Sequence, residues 1–241
     1  MGRGGEAVLD IQLRMRAAGS PAKAEHSLRF FKTGPGQYGE GDRFLGLTVP
    51  QTRGYVAECK DLSLDQVLEL LHSEWHEERL LALFLLVKRF PKDRQRIYDL
   101  YLKSIADYVN NWDLVDSSAP AIVGAFLVKQ SDRLILSRLA RSSNLWERRV
   151  AVIATQTFIR AGQFQDTLEL CEMLLKDRED LVHKACGWML REAGNRDLPT
   201  LLVFLEQWAP CMPRTMLRYS LEKLDPEQRR RFMEARPATV N

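Results

Sequence analysis

Helical stretches of similar pattern recur along this sequence every 34 or 35 residues. The strings HEERLLALFLL, NWDLVDSSAPAIVG, LWERRVAVIATQ, LVHKACGWMLRE and PRTMLRYSLEKL share one helical phase, and their alignment superimposes Ala82, Ser117, Ala151, Ala185 and Tyr219. Apolar residues follow helical periodicity through nearly the whole chain, and no segment shows the alternation typical of a strand. A recurring helix pair of this length is typical of an α-solenoid. The sequence therefore predicts an all-α fold in which the second helices of successive pairs line a concave groove.

The length and the continuity of this period predict one domain. A chain of 241 residues with 45% hydrophobic residues has enough apolar material for a sizeable core. We predict a single domain over residues 1–241, with N-terminal helices at 1–31, a glycine-rich loop at 32–46, helical repeats at 47–235 and a tail at 236–241. The loop, KTGPGQYGEGDRFLG, lacks the G-K-[ST] sequence of a nucleotide site. Both an ordered connection and a direct contact with a ligand remain possible for it.

Cysteine and histidine usage favours an intracellular protein without a metal or another cofactor. Cys59, Cys171, Cys186 and Cys211 form no C-x-x-C pair, which argues against a zinc site and favours a reducing compartment. His72 and His76 are spaced i, i+4, but no third ligand is in view. We expect no membrane segment and no secretion signal, because no long uncharged apolar stretch occurs.

The charges are nearly balanced but unevenly distributed. The sequence has 35 Lys and Arg against 32 Asp and Glu, a net charge of +3. Residues 61–80 are strongly acidic, whereas the segment from Cys211 onward has an excess of arginine and lysine. We therefore expect acids on the outer helices and a basic concave face.

The residues predicted on the concave face combine cations, indoles and one acid. Trp112 and Asp116 share a helix face because residues four apart lie one turn from each other. The other residues that we assign to this face are Trp188 and the cations Arg148, Arg149, Lys184, Arg191, Arg214 and Arg218. A basic groove with aromatic side chains fits the phosphates and sugars of a nucleic acid. Asp116 is the one acid among the residues that we assign to this face.

Each of these residues also has a purely structural interpretation. Asp116 could form an ion pair with Arg149, and Trp112 and Trp188 could pack in the core. Arg148 and Arg149 could simply form a solvated helix face.

At these residues the sequence resembles the AlkD-type DNA alkylation repair enzymes, a family of glycosylases built from HEAT-like helical repeats. The strings that carry the resemblance are FFKTGPGQYGEGDRFLG, NNWDLVD, LWERR, HKACGWMLRE and PRTMLRY, which together span most of the chain. The resemblance implies a monomeric, monofunctional glycosylase that excises positively charged alkylpurines, chiefly 3-methyladenine and 7-methylguanine, from double-stranded DNA. It also implies that the base is not enclosed in a deep pocket.

The resemblance further implies a role for each matching residue. The catalytic acid of the family falls on Asp116, its two sugar-contacting tryptophans fall on Trp112 and Trp188, and its phosphate-binding arginine falls on Arg149. An alkylated purine already carries a positive charge and leaves readily, so the enzyme has to stabilise an oxocarbenium-like sugar. A carboxylate at that position can stabilise the developing cation and orient a water molecule.

Two alternatives belong to other classes. A HEAT-like solenoid that binds nucleic acid without chemistry would gain nothing from an acid among its phosphate contacts. A protein scaffold would instead show apolar patches on the concave face and no clustered arginines.

Overall fold

The computed structural model describes residues 4–235, and this part of the chain is built from α-helices joined by short turns. It contains no strand within the described range, where the only β-type pairing is an isolated bridge between Arg43 and Trp75. The prediction of an all-α fold is therefore confirmed. The predicted tail at 236–241 lies outside the described residues.

The chain divides into two compact units, one up to Ser118 and one from Ala119 onward, and each is described by itself. The helices of the first unit are α1 (Gly4–Ala17), α2 (Pro21–Phe30), α3 (Val49–Gly54), α4 (Leu64–Leu71), α5 (His76–Arg89), α6 (Arg94–Tyr108) and α7 (Trp112–Ala119), whose last residue opens the second unit. Capping boxes begin α3 and α4, where Thr48 and Ser63 each exchange hydrogen bonds with a glutamine three residues later.

The second unit begins with a π-helical turn at Pro120–Gly124. Its helices are α8 (Ala125–Leu127), α9 (Leu134–Ala140), α10 (Leu145–Ala154), α11 (Gln156–Arg160), α12 (Gln165–Met173), α13 (Asp180–Arg196), α14 (Leu198–Trp208), α15 (Arg214–Ser220) and α16 (Pro226–Glu234). Within this unit α10 packs against α13, and α13 packs against α15.

The five positions aligned in the sequence lie on α5, α7, α10, α13 and α15. Gly187 lets α13 and α15 approach closely, because a Cβ atom at this position would come within 2.5 Å of the Met216 carbonyl oxygen and of the Tyr219 Cβ atom. In the second unit, the second helices of neighbouring repeats thus stack directly on one another.

A long loop in the first unit joins α2 to α3. Gly46, near the end of this loop, has a φ of +79°, and a Cβ atom there would lie 2.2 Å from the Ser20 carbonyl oxygen. Only glycine fits a left-handed backbone at such a close approach. The loop therefore passes directly against the chain between α1 and α2.

Candidate active site

Trp112 and Asp116 lie one turn apart on α7 of the first unit, and both side chains are half-buried. The Trp112 ring stacks on Phe31 with ring centroids 5.4 Å apart and meets the edge of Phe30 at 6.0 Å. Phe30 itself is 56% exposed. Trp112 is thus supported by aromatic neighbours without being buried in the core.

Helix α7 is also fixed against α6. The Tyr101 and Ser118 hydroxyls lie 2.8 Å apart, and the Ser118 hydroxyl donates to the Leu114 carbonyl oxygen. Burial raises the pKa of Tyr101, and the nearby charge of Asp116 adds to that rise. The contact between Tyr101 and Ser118 thus holds α7 against α6.

The first acid of the WDLVD string, Asp113, has a different environment. Its Oδ2 atom lies 2.8 Å from His76 Nε2, and its Oδ1 atom accepts a hydrogen bond from the Leu114 backbone N–H. Asp113 is therefore engaged in holding the start of α7.

His76 is the centre of a buried group that we call the His76 cluster. The cluster consists of Asp42, His76, Arg79, Asn111 and Asp113. Asp42 lies 2.8 Å from His76 Nδ1 and accepts hydrogen bonds from Arg79 at 2.6 Å and from Asn111 at 3.0 Å. It therefore joins the glycine-rich loop both to α5 and to the residue that precedes α7.

The charges of the His76 cluster stabilise one another. Burial by itself raises the pKa of Asp42, but the hydrogen bonds and charges of His76 and Arg79 outweigh it and lower the pKa to about 2. Burial also disfavours the charged form of His76 and by itself lowers its pKa. The contacts with Asp113 and then with Asp42 outweigh burial and raise this pKa to about 9. His76 is therefore an imidazolium at neutral pH, as expected for a ring whose two nitrogens both face carboxylates.

The residues that follow His76 also bind the N-terminal part of the chain. The carboxylate of Glu77 accepts the backbone N–H groups of Leu45, Gly46 and Leu47 at 2.8–3.1 Å. Glu78 accepts hydrogen bonds from Arg16 of α1 and from two uncharged neighbours. These two acids of the 61–80 segment therefore do not contribute charge to an outer surface, since their side chains are buried.

The sequence interpretation missed the His76 cluster. A signal was present, because HEER is a run of four ionisable residues at the start of a strongly apolar helix, and buried charges have to be paired. All four residues of this run, 76–79, are buried. The partners of His76 are Asp42 and Asp113, which lie 34 and 37 residues away from it in the sequence.

In the second unit, the two neighbouring arginines of α10 are both occupied by protein contacts. Arg148 forms an ion pair with Asp177 at 2.7 Å and donates to the carbonyl oxygens of Ser142 and Ser143, and its side chain is only 13% exposed. Arg149 is buried and donates to the Leu181 carbonyl oxygen. Both contacts link α10 to the segment leading into α13 or to the first residues of α13.

The predicted cations of α13 and the indole between them each have an acidic neighbour. Lys184 lies 2.9 Å from Asp180, and Trp188 Nε1 donates to Glu192 at 3.1 Å. Arg191 pairs with Glu192 and with Glu222. Around Lys184 and Arg191 the second unit therefore carries acids as well as cations. Asp180 and Glu222 are more than half exposed, however, and exposed ion pairs of this kind contribute only about 0–1 kcal/mol.

The two arginines of α15 are the most accessible of the predicted set. Arg214 is exposed, and its guanidinium group donates a hydrogen bond to the Met233 carbonyl oxygen at 3.0 Å. Arg218 is exposed, and its side chain forms no hydrogen bond or ion pair with any other residue between 4 and 235. Trp188 is half-buried, so neither predicted indole is enclosed in the core.

Between residues 4 and 235, no group of three or more acidic, histidine or cysteine side chains could hold a metal ion. In the same range, no helix combines the length and the apolar character needed to cross a membrane.

Comparison with solved structures shows a shared fold. The solved structure titled "Predicted DNA alkylation repair enzyme" from Enterococcus faecalis superimposes with a TM-score of 0.71 at 15% identity, covering 86% of this chain and 97% of that one. AlkD2 from Streptococcus mutans gives a TM-score of 0.55 at 18% identity, over 90% of this chain and 99% of that one. Both likenesses are evidence of the fold. No protein with a curated description matches.

The sequence itself carries the family assignment. A sequence model of the family described as "DNA alkylation repair enzyme" matches residues 11–224, which include α7, α10, α13 and α15. The match covers most of the chain and both of its units. The chain therefore belongs to the DNA alkylation repair enzyme family.

Proposed function

We propose that this protein is a monofunctional DNA glycosylase that hydrolyses the N-glycosidic bond of positively charged alkylpurines, such as 3-methyladenine and 7-methylguanine, in double-stranded DNA. The proposal includes no cofactor and no deep pocket for the base. Family membership supports a role in the repair of alkylated DNA. Four free cysteines fit an intracellular location, where this substrate occurs.

The chemistry requires stabilisation of a cation and delivery of water. The alkylated base leaves as a neutral molecule, and positive charge develops on the sugar. In our proposal the Asp116 carboxylate stabilises that charge and orients the water that adds to the anomeric carbon, with Asp116 then accepting its proton. The faces of Trp112 and Trp188 contact the sugar and contribute cation–π stabilisation of about 0.5–2 kcal/mol each.

The observation that carries this assignment is the contrast between the two acids of the WDLVD string. Asp113 is bound to His76 and to the backbone at the start of α7, which gives it a structural role. Asp116 lies one turn after the aromatic-supported Trp112, so an acid and an indole occupy the same helix face. This pairing suits the recognition of a sugar that becomes positively charged.

The cations have different suitability for binding phosphate. Lys184, Arg191, Arg214 and Arg218 are exposed or form pairs with accessible acids, so they can exchange their partners for phosphates at little cost. Arg149, which matches the phosphate-binding position of the family, also belongs to the proposed set. Arg148 is proposed with them, although its contact with Asp177 requires it to keep most of its donors within the protein.

Base release from methylated duplex DNA tests the proposal. We expect wild-type protein to release 3-methyladenine or 7-methylguanine, and Asp116→Asn to lose most of this activity while still binding a duplex that contains a stable abasic-site analogue. The matched control is Asp107→Asn, which removes the same charge from an exposed position at the end of α6. Equal release by wild type and Asp116→Asn would refute the catalytic assignment.

A non-catalytic DNA-binding module of the same fold is the second candidate. Lys184, Arg191, Arg214 and Arg218 can bind phosphate whether or not Asp116 takes part in a reaction, and this observation supports the second candidate. DNA binding by wild-type protein with no base release above the rate seen without protein would support this candidate instead.

A further inference from the structure

His76 is a buried residue whose two ring nitrogens both face acids. The residue is 2% exposed and has a carboxylate oxygen 2.8 Å from each nitrogen. A neutral imidazole can donate only one hydrogen bond, whereas an imidazolium can donate two. Because both acceptors are acids, the doubly protonated ring is the only form that satisfies both contacts.

Two independent routes connect this ring to the helix of the candidate site. The first is the hydrogen bond to Asp113, the second residue of α7. The second is a series of ring contacts, in which Phe31 lies tilted against His76 at 5.0 Å and stacks on Trp112 at 5.4 Å. A shift of His76 would therefore move both the backbone that begins α7 and the face on which Trp112 rests.

The opposite side of the ring is held by the glycine-rich loop. Asp42 contacts His76 Nδ1 and also accepts a hydrogen bond from Asn111. Asn111 in turn accepts a hydrogen bond from the Trp112 backbone N–H at 2.8 Å. The loop, α5 and the first turn of α7 thus meet at one buried imidazolium.

We propose that His76 is a positioning residue which, as an imidazolium clamped between Asp42 and Asp113, fixes the orientation in which α7 presents Trp112 and Asp116 to the sugar. The proposal rests on the function proposed above for these two residues. His76 does not touch the substrate, and its effect on the reaction passes through Asp113 and Phe31.

Two roles of His76 lead to different expected results: it could only stabilise the fold, or it could position α7. In the first case, loss of His76 lowers the population of folded protein and leaves the folded molecules fully active. In the second case, folded molecules bind DNA but react slowly, because small displacements of reacting groups cost large factors in rate.

The test compares His76→Gln with His72→Gln. Glutamine can make one of the two contacts but cannot carry the charge, whereas His72 is exposed at the end of α4 and its substitution controls for the loss of a histidine. At a temperature where circular dichroism shows all proteins to be folded, we expect the single-turnover release of 7-methylguanine to fall by about tenfold or more in His76→Gln. The affinity for a duplex with an abasic-site analogue should stay roughly unchanged, and His72→Gln should match wild type.

A double-mutant cycle with Asp113→Asn tests whether the effect passes through that residue. If both substitutions break one link, the double variant should be about as slow as the slower single variant. Independent, multiplicative effects would overturn the proposed route, and an unchanged single-turnover rate in folded His76→Gln would overturn the proposal. If His76→Gln does not fold, Asp113→Asn supplies the same rate comparison, because it leaves the Asp42–Arg79 pair in place.

A spectroscopic readout separates this proposal from the proposed function. In protein labelled with 5-fluorotryptophan, the Trp112 signal can be assigned with Trp112→Phe. We expect His76→Gln to shift or split this ¹⁹F signal while the signals of Trp188 and Trp208 keep their positions. An unchanged Trp112 signal would refute positioning even if the wild-type protein proved inactive, whereas inactive wild type with a shifted signal would refute only the glycosylase.

Discussion

Raising the pH from 6 to 9 should destabilise this protein by removing a proton from the buried residue His76. Its pKa lies at about 9 in the folded protein, against the ordinary value of 6.5, because Asp113 and Asp42 favour the imidazolium more than burial disfavours it. A pKa raised in the folded state contributes stability that is fully present below pH 6.5 and is lost as the pH rises through 9.

The size of the effect follows from the shift. A tenfold change in proton affinity corresponds to about 1.4 kcal/mol, so a rise from 6.5 to about 9 amounts to about 3 kcal/mol. In the window between these values, the folded protein holds one proton more at this residue than the unfolded chain does. The free energy of unfolding should therefore fall by up to about 1.4 kcal/mol for each pH unit.

Urea denaturation of wild type and His76→Gln at a series of pH values between 6 and 9 provides the measurement. Buried thiols also contribute to the pH dependence of stability toward the upper end of this range. Burial raises the pKa of Cys59 to about 11, so unfolding at high pH would release its proton. This contribution is common to both proteins and cancels in their difference. We expect the stability difference between the two proteins to shrink as the pH rises. A difference that stays constant across this range would refute the conclusion that His76 is protonated in the fold.

The remaining predictions concern the second unit. Arg148→Ala should lower the free energy of unfolding by about 3 kcal/mol in urea denaturation, because it leaves the buried carboxylate of Asp177 without its partner. Arg218→Ala should leave the stability unchanged, weaken DNA binding about equally on all sequences and reduce the magnitude of its salt slope by roughly one; an unaltered slope would remove Arg218 from the interface. Trp188→Phe should slow base release and lower stability by only about 1 kcal/mol, through loss of the hydrogen bond to Glu192, and a much larger loss of stability would favour core packing.

Local patterns predicted the fold class and the helix that carries the candidate site. Apolar periodicity is a property of each helix, so it is readable without knowledge of the partners on which the helix packs. The same rule placed Trp112 and Asp116 on one face of α7, and the structure has them one turn apart. The resemblance to DNA alkylation repair enzymes, which rested on short strings in order, is confirmed by the family match over residues 11–224.

The surroundings of the predicted cations could not be read in the same way. Arg148 and Arg218 look alike in the sequence, but the first forms a buried pair with Asp177 and the second is exposed. The difference depends on which residues of neighbouring helices lie against each arginine. Charge counting along the chain therefore overestimated how basic the second unit is around Lys184 and Arg191.

The sequence by itself determined the helical repeat, the phase of each helix and the pairing of Trp112 with Asp116, because these depend on neighbours within one or two turns. Only the tertiary structure decided that the glycine-rich loop ends against α5 and that His76 lies between Asp42 and Asp113. Those partners are 34 and 37 residues away in the sequence, and no local period relates them. The physical reason is that burying a charge requires a partner at hydrogen-bond distance, and the partner is selected by the packing of whole helices.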